Sequence, residues 1–151
     1  MISDTDWMAV ALEQARLAAS LGEVPVGAVV VRNDSPISLA HNRREGDNNP
    51  VAHAEVLAIQ AASAHLGSWR LTDTTLYVTL EPCPMCAGAI LLARIPRVVY
   101  AATDPKAGAV DSLYCLLRDH RLNDRTEVTA GVLWKESREL LQSFFRSRRE
   151  K

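Results

Sequence analysis

An unbroken apolar run, Val26–Val31, constrains this chain more than any other feature. A strand that faces water on one side alternates apolar with polar residues, and this one does not. It reads as a strand buried on both faces, which requires packed layers above and below a sheet. Asn33-Asp34 marks a turn after it, and Ile37–His41 reads as a second strand, so the two form a hairpin.

The remaining segments fit around that strand. Asp6–Ser20 reads as a helix, with Met8, Leu12, Ala15 and Ala19 on helical spacing, Asp4 or Thr5 as cap and Gly22 at its end. Asn42–Ala52 is a polar loop of functional length. His53–His65 is helical, Thr75–Thr79 a strand, and Pro84–Ala93 a helix ended by Pro96. Arg97–Ala101 is a strand, Ser112–Arg118 a short helix, Thr126–Thr129 a fifth strand and Trp134–Arg148 a final helix. Strands alternating with helices after an opening hairpin predict an α/β fold: a three-layer α/β/α sandwich on a mixed five-stranded sheet. Residues 1–151 contain no repeat or linker, so a single domain is expected.

Composition narrows the function. Apolar residues make up 48% and charged residues 23%, which excludes a disordered chain. The most apolar stretches, Val24–Val31 and Ala87–Ala93, fall far short of the ~20 residues of a membrane span. Met1–Met8 lacks the pattern of a secretory signal, so a cytoplasmic location is expected. The net charge of −1 argues against general polyanion binding, and no DNA partner is expected. The charge is uneven, however. Residues 1–115 hold 8 basic and 12 acidic residues, whereas residues 116–151 hold 9 and 6. The basic end, Phe144–Lys151, reads either as a solvated helix terminus or as a patch that contacts phosphates.

Chemistry concentrates in His53-Ala54-Glu55 and Pro82-Cys83-Pro84-Met85-Cys86. Two cysteines three apart on a helix's first turn direct both sulfurs to one side, where the helix end favours thiolate. A Cys-x-x-Cys pair alone also reads as a redox motif, and a lone histidine as an ordinary polar residue. Together, Cys83, Cys86 and His53 make three zinc-type ligands and leave a fourth position for water. Cys115 sits among Leu113, Tyr114, Leu116 and Leu117, an apolar setting that favours a buried packing thiol. Zinc with two thiolates is neutral, so a nearby carboxylate is needed to take a proton from its water, and Glu55 is two residues from His53. Residues i and i+2 lie ~200° apart on a helix. His53 and Glu55 therefore flank one ion only if it lies off the helix start.

These residues resemble the zinc nucleobase-deaminase signature of the cytidine/deoxycytidylate deaminase superfamily. The wider sequence, including Glu23–Val29, Asn42-Arg43, Ala52–Glu55, Leu76–Cys83, Met85–Ala89, Asp104, Gly108 and Phe144-Phe145-Arg146, resembles the bacterial tRNA-specific adenosine deaminase family (TadA-type). The resemblance implies a cytidine-deaminase-like fold, a homodimer, one Zn2+ per subunit and a tRNA anticodon stem-loop as partner. It implies hydrolysis of wobble adenosine to inosine, with His53, Cys83 and Cys86 on zinc and Glu55 shuttling protons between the zinc-bound water, the ring and the leaving amine. It further implies substrate contacts from Asn42, Val26 and Ala54, and contacts to neighbouring nucleotides from Asp104, Phe145 and Arg148. Two positions depart from the pattern: Val51 replaces a common threonine, and Pro84 occurs there in bacterial guanine deaminases. A deaminase of free guanine or cytosine compounds is the alternative. A non-catalytic zinc-stabilised RNA-binding module is a third reading, against which Glu55 argues.

Overall fold

The computed structural model describes residues 1–122 and 126–149; Asn123–Arg125 and the closing Glu150 and Lys151 of the basic stretch lie outside the described residues. Its elements run α1 (Asp4–Ser20), β1 (Gly27–Arg32), β2 (Ser35–His41), α2 (Ala54–Leu66), β3 (Thr75–Leu80), α3 (Pro84–Ala93), β4 (Arg97–Ala102), β5 (Glu127–Ala130) and α4 (Trp134–Arg149). The expected helix at Ser112–Arg118 is reduced to one 3₁₀ turn, Leu116–Arg118. No described helix is long and apolar enough to cross a membrane.

The strand order is β2-β1-β3-β4-β5. β1 pairs antiparallel with β2 and β3, while β3–β4 and β4–β5 are parallel, so the sheet is mixed as expected. Asn33 and Asp34 both adopt positive φ, 52° and 59°, as a two-residue hairpin turn of the right twist requires. β1 lies between two partners and is buried along its length apart from its final arginine.

Alternate residues of the strands feed two cores. Ala28, Val30, Leu76, Val78, Val98 and Tyr100 face Ala54, Ala58, Ala62, Ala87 and Ile90 of α2 and α3. Val29, Val31, Tyr77, Val99 and Ala101 face Trp7, Met8 and Ala11 of α1. α4 lies against β3, β4 and α1, completing the second helical layer. Its buried Ser137 hydroxyl donates to the Thr79 carbonyl at 2.5 Å.

Helix α1 begins two residues earlier than its sequence suggests. Ser3, not Asp4 or Thr5, is the cap: its hydroxyl accepts from the Asp6 N–H, and the Asp6 carboxylate accepts from the Ser3 N–H. This reciprocal box satisfies two orphan donors where a single cap satisfies one. Asp4 is thereby free to accept two bonds from Arg97, at 2.7 and 2.8 Å, and one from the Tyr77 hydroxyl at 2.6 Å, which ties α1 to the sheet.

The close seat of α1 on β1 depends on Gly27. A Cβ there would lie 2.0 Å from the Ala11 carbonyl oxygen and 2.6 Å from the Ala15 nitrogen. Both are helix backbone and yield only if the whole helix moves. Gly27→Ala is expected to destabilise the protein by about 3 kcal/mol, read as a lower urea midpoint with an unchanged slope. An unchanged midpoint would show that α1 is not seated so tightly.

Candidate active site

Helices α2 and α3 begin next to each other, and each starts on a candidate ligand. His53 is the N-cap of α2, extended at φ −81° and ψ 148°. Cys83 is the N-cap of α3, with Pro84 opening the helix where a missing N–H costs nothing. The extended cap resolves the geometric conflict between His53 and Glu55. His53 lies outside the helical periodicity, and Glu55 on the first turn faces the same point from within it. His53 Nδ1 stands 3.6 Å from Cys83 Sγ and 3.5 Å from Cys86 Sγ. All three donor atoms fall within 4.8 Å of one another, a group that could hold a metal ion.

The electrostatics follow from this crowding. The nearness of Cys86 and the contact with His53 pull the Cys83 thiol down to about 4, while Cys83 and burial hold Cys86 above its ordinary value. The thiol–thiolate contact and burial raise Cys86 together, and one negative charge is thus already favoured where two helix N-termini point. His53 is shifted up, chiefly by its bond to Cys83. Glu55 is buried, and desolvation raises its carboxyl to about 7. A carboxylate poised there exchanges protons in both directions near neutral pH.

The group lies beside a cleft of about 410 Å³ at the carboxyl ends of β3 and β4. Val26, Asn42, His53, Glu55, Asp104, Phe145 and Arg148 all line it, so the structure gathers residues that stand up to 122 positions apart. Asn42 Oδ1 accepts from the Ala54 N–H at 2.8 Å, which fixes the side chain in the cleft wall and leaves its NH2 free of that bond. Asp104 is held in a turn by the Lys106 and Ala107 N–H groups. Phe145 packs edge-to-face on Phe144 and remains exposed.

Three placements differ from the sequence reading. Ala54 is fully buried in the core, and only its N–H, through Asn42, bears on the cleft. Arg148 donates to the Gly22 carbonyl and lies 4.9 Å over the Phe144 ring, so its guanidinium is engaged within the protein. Cys115 is exposed, not buried, because the 3₁₀ turn inserts Leu117 into the core in its stead.

A MafB19-like deaminase family model matches residues 2–149. The tRNA-specific adenosine deaminase of Bacillus subtilis is 49% identical over 100% of this chain and 94% of its own. The chain belongs to the tRNA-specific adenosine deaminase family. A solved structure from a study of A-to-I editing by tRNA deaminases at the wobble position is 44% identical, with a TM-score of 0.87 over 91% of this chain and 99% of its own. A guanine deaminase from Nitrosomonas europaea is similar at 25% identity and a TM-score of 0.83, over 95% of this chain and 85% of its own. Family membership accounts for the cytidine-deaminase-like arrangement of sheet and helices.

Two buried carboxylates of the cleft wall escaped the sequence reading. Glu81, 1% exposed, accepts from the N–H groups of Asp104, Val110, Asp111 and Ser112 and from the Ser112 hydroxyl. Gly108 is what lets the loop come so close, since a Cβ there would lie 2.4 Å from the Glu81 carboxyl carbon. Glu23 likewise accepts from the Glu45 and Gly46 N–H groups at 3.0 and 2.7 Å, fixing the loop that carries Asn42.

Burial opposes the charge on Glu81, but its donors, led by Asp111 and Ser112, outweigh burial and hold its pKa below the usual carboxylate value. A folded pKa below the unfolded one contributes stability above the ordinary carboxylate range, lost as pH falls through the folded value. Glu81→Gln should remove about 2–3 kcal/mol at neutral pH, because its NH2 faces donors it cannot accept from. The gap to wild type should shrink in acid. A gap that is constant with pH in denaturation curves would refute a charged Glu81.

Proposed function

We propose that this chain hydrolyses adenosine to inosine at the wobble position of a tRNA anticodon, releasing ammonia. The observation that carries the reading is the buried Glu55 beside the His53, Cys83 and Cys86 donors in an open cleft. The near half identity to a tRNA-specific adenosine deaminase extends over the whole chain, whereas guanine deaminases match either at a quarter identity or, at 41%, over only 68% of the chain, which favours adenosine over free guanine.

Zinc fits the donor set. Tetrahedral zinc, with metal–sulfur near 2.3 Å and metal–nitrogen near 2.05 Å, spans sulfur to nitrogen by about 3.6 Å. The two observed separations are 3.6 and 3.5 Å. Zinc bound by His53 Nδ1, Cys83 Sγ and Cys86 Sγ would supply Lewis acidity, lowering the pKa of a water in its open position.

Glu55 does the proton chemistry. Its carboxylate removes a proton as water oxygen bonds to C6 of adenine and delivers that proton to N1. It then takes the hydroxyl proton of the C6 adduct and passes it to the amino group. The C6–N bond breaks, ammonia leaves and a carbonyl remains, so one water is consumed for each ammonia released. A group near pH 7 suits both transfers. The Asn42 NH2 donates to purine acceptors, and Val26 packs on the base. Asp104 and Phe145 meet neighbouring nucleotides of a loop whose bases are readily splayed out.

A second copy of the chain and a cytoplasmic setting belong to the same proposal. Leu92, Leu113 and Tyr114 leave apolar surface exposed that a homodimer would cover.

An anticodon stem-loop with a wobble adenosine should yield inosine, while free guanine should release no ammonia. Ammonia from guanine without inosine from the stem-loop would replace this reading with that of a guanine deaminase. Glu55→Ala should keep metal and fold yet lose at least ~100-fold in kcat, the usual worth of a positioned acid–base group. Wild-type turnover in that variant would remove Glu55 from the mechanism.

A further inference from the structure

The cleft is poor in positive charge for a protein that admits RNA. Glu23, Glu45, Glu55, Glu81 and Asp104 line it, against Arg44 and Arg148. Zinc with two thiolates adds no net charge. A phosphodiester that follows its base into this opening meets an excess of carboxylates, and desolvation strengthens the repulsion. Arg148 already donates to the Gly22 carbonyl and lies on Phe144.

Arg44 differs from its neighbours. Arg43 donates twice to the Asp47 carboxylate and forms an ion pair with it at 3.0 Å. Among the described residues, the Arg44 side chain has neither an ion pair nor a hydrogen bond within the protein. Its backbone is nonetheless fixed. The Arg44 carbonyl accepts from the Asn49 N–H, and on either side the Arg43 N–H donates to Ala52 and the Glu45 N–H to Glu23. The result is an exposed guanidinium on an anchored base, two residues beyond Asn42, at the mouth of the cleft.

We propose that Arg44 contacts a phosphodiester flanking the target adenosine, serving as the cation that offsets the carboxylates of the cleft. The inference rests on the RNA reading above and adds a residue that selects a nucleotide within a strand over a free base. A guanidinium offers two parallel donors to one phosphate, and its contribution is neither chemical nor structural. It therefore acts on the binding of RNA and leaves the reacting atoms alone.

The test measures both binding and turnover of a fluorescent anticodon stem-loop over a range of salt. Arg44→Ala should weaken binding by about tenfold and raise KM with kcat unchanged. The slope of log affinity against log salt should become shallower by about 0.7, the value of one single-strand phosphate contact. Arg44→Lys should restore the slope, whereas Arg43→Ala should leave it as in wild type. An unchanged slope in Arg44→Ala, or an equal loss in Arg43→Ala, would overturn the assignment. Absence of inosine from the wild type would overturn the functional reading instead. The binding slope is read without turnover, so the two failures are distinct.

Discussion

Two helix starts meeting at one point is the constraint on which the rest of the molecule depends. The N-caps of α2 and α3 are His53 and Cys83, and their approach brings an imidazole and two sulfurs within 4.8 Å. Donors that close repel one another unless protons or a metal are shared among them. The sheet holds them there. β3 delivers Cys83 to the edge of the cleft, the alanines of α2 and α3 let both helices lie close to the strands, and Asn42 binds the first N–H of α2. Glu55 then has no exit to water except through the cleft, and burial raises its pKa into the working range of an acid–base group.

The loops around this point are held by buried carboxylates, not by regular structure. Glu81 gathers the N–H groups of the segment after β4, and Glu23 those of the segment after β2. Glu81, with its several backbone donors, stays charged despite burial, and both carboxylates fix a loop without a strand or a helix. Two walls of the cleft are thereby made rigid while their rims remain open to a large substrate. Such anchoring also explains why a single unengaged arginine on one rim can matter: its backbone is hydrogen-bonded in place.

Much of this was legible in the sequence because its cause is local. The β-branched runs and helical spacing give the five strands and four helices. The Cys-x-x-Cys spacing and the histidine–glutamate pair give the metal-type donors. What was not legible depends on partners distant in the chain. Glu23 and Glu81 bind backbone amides 22 to 31 residues away, and an amide carries no sequence mark. Arg148 could be read as a cation but not as a donor to Gly22, 126 residues away. Cys115 misled because apolar neighbours suggest burial, and Leu113 and Tyr114 are themselves exposed.

The central claim is an open three-donor metal site beside a proton-carrying glutamate. X-ray absorption at the zinc edge of the purified protein tests it most directly. Two sulfurs at about 2.3 Å, one nitrogen at about 2.0 Å and one further light atom are predicted, with the sulfur count unchanged in Cys115→Ser. A third sulfur, or four protein donors with no place for water, would identify a closed structural site and contradict the account.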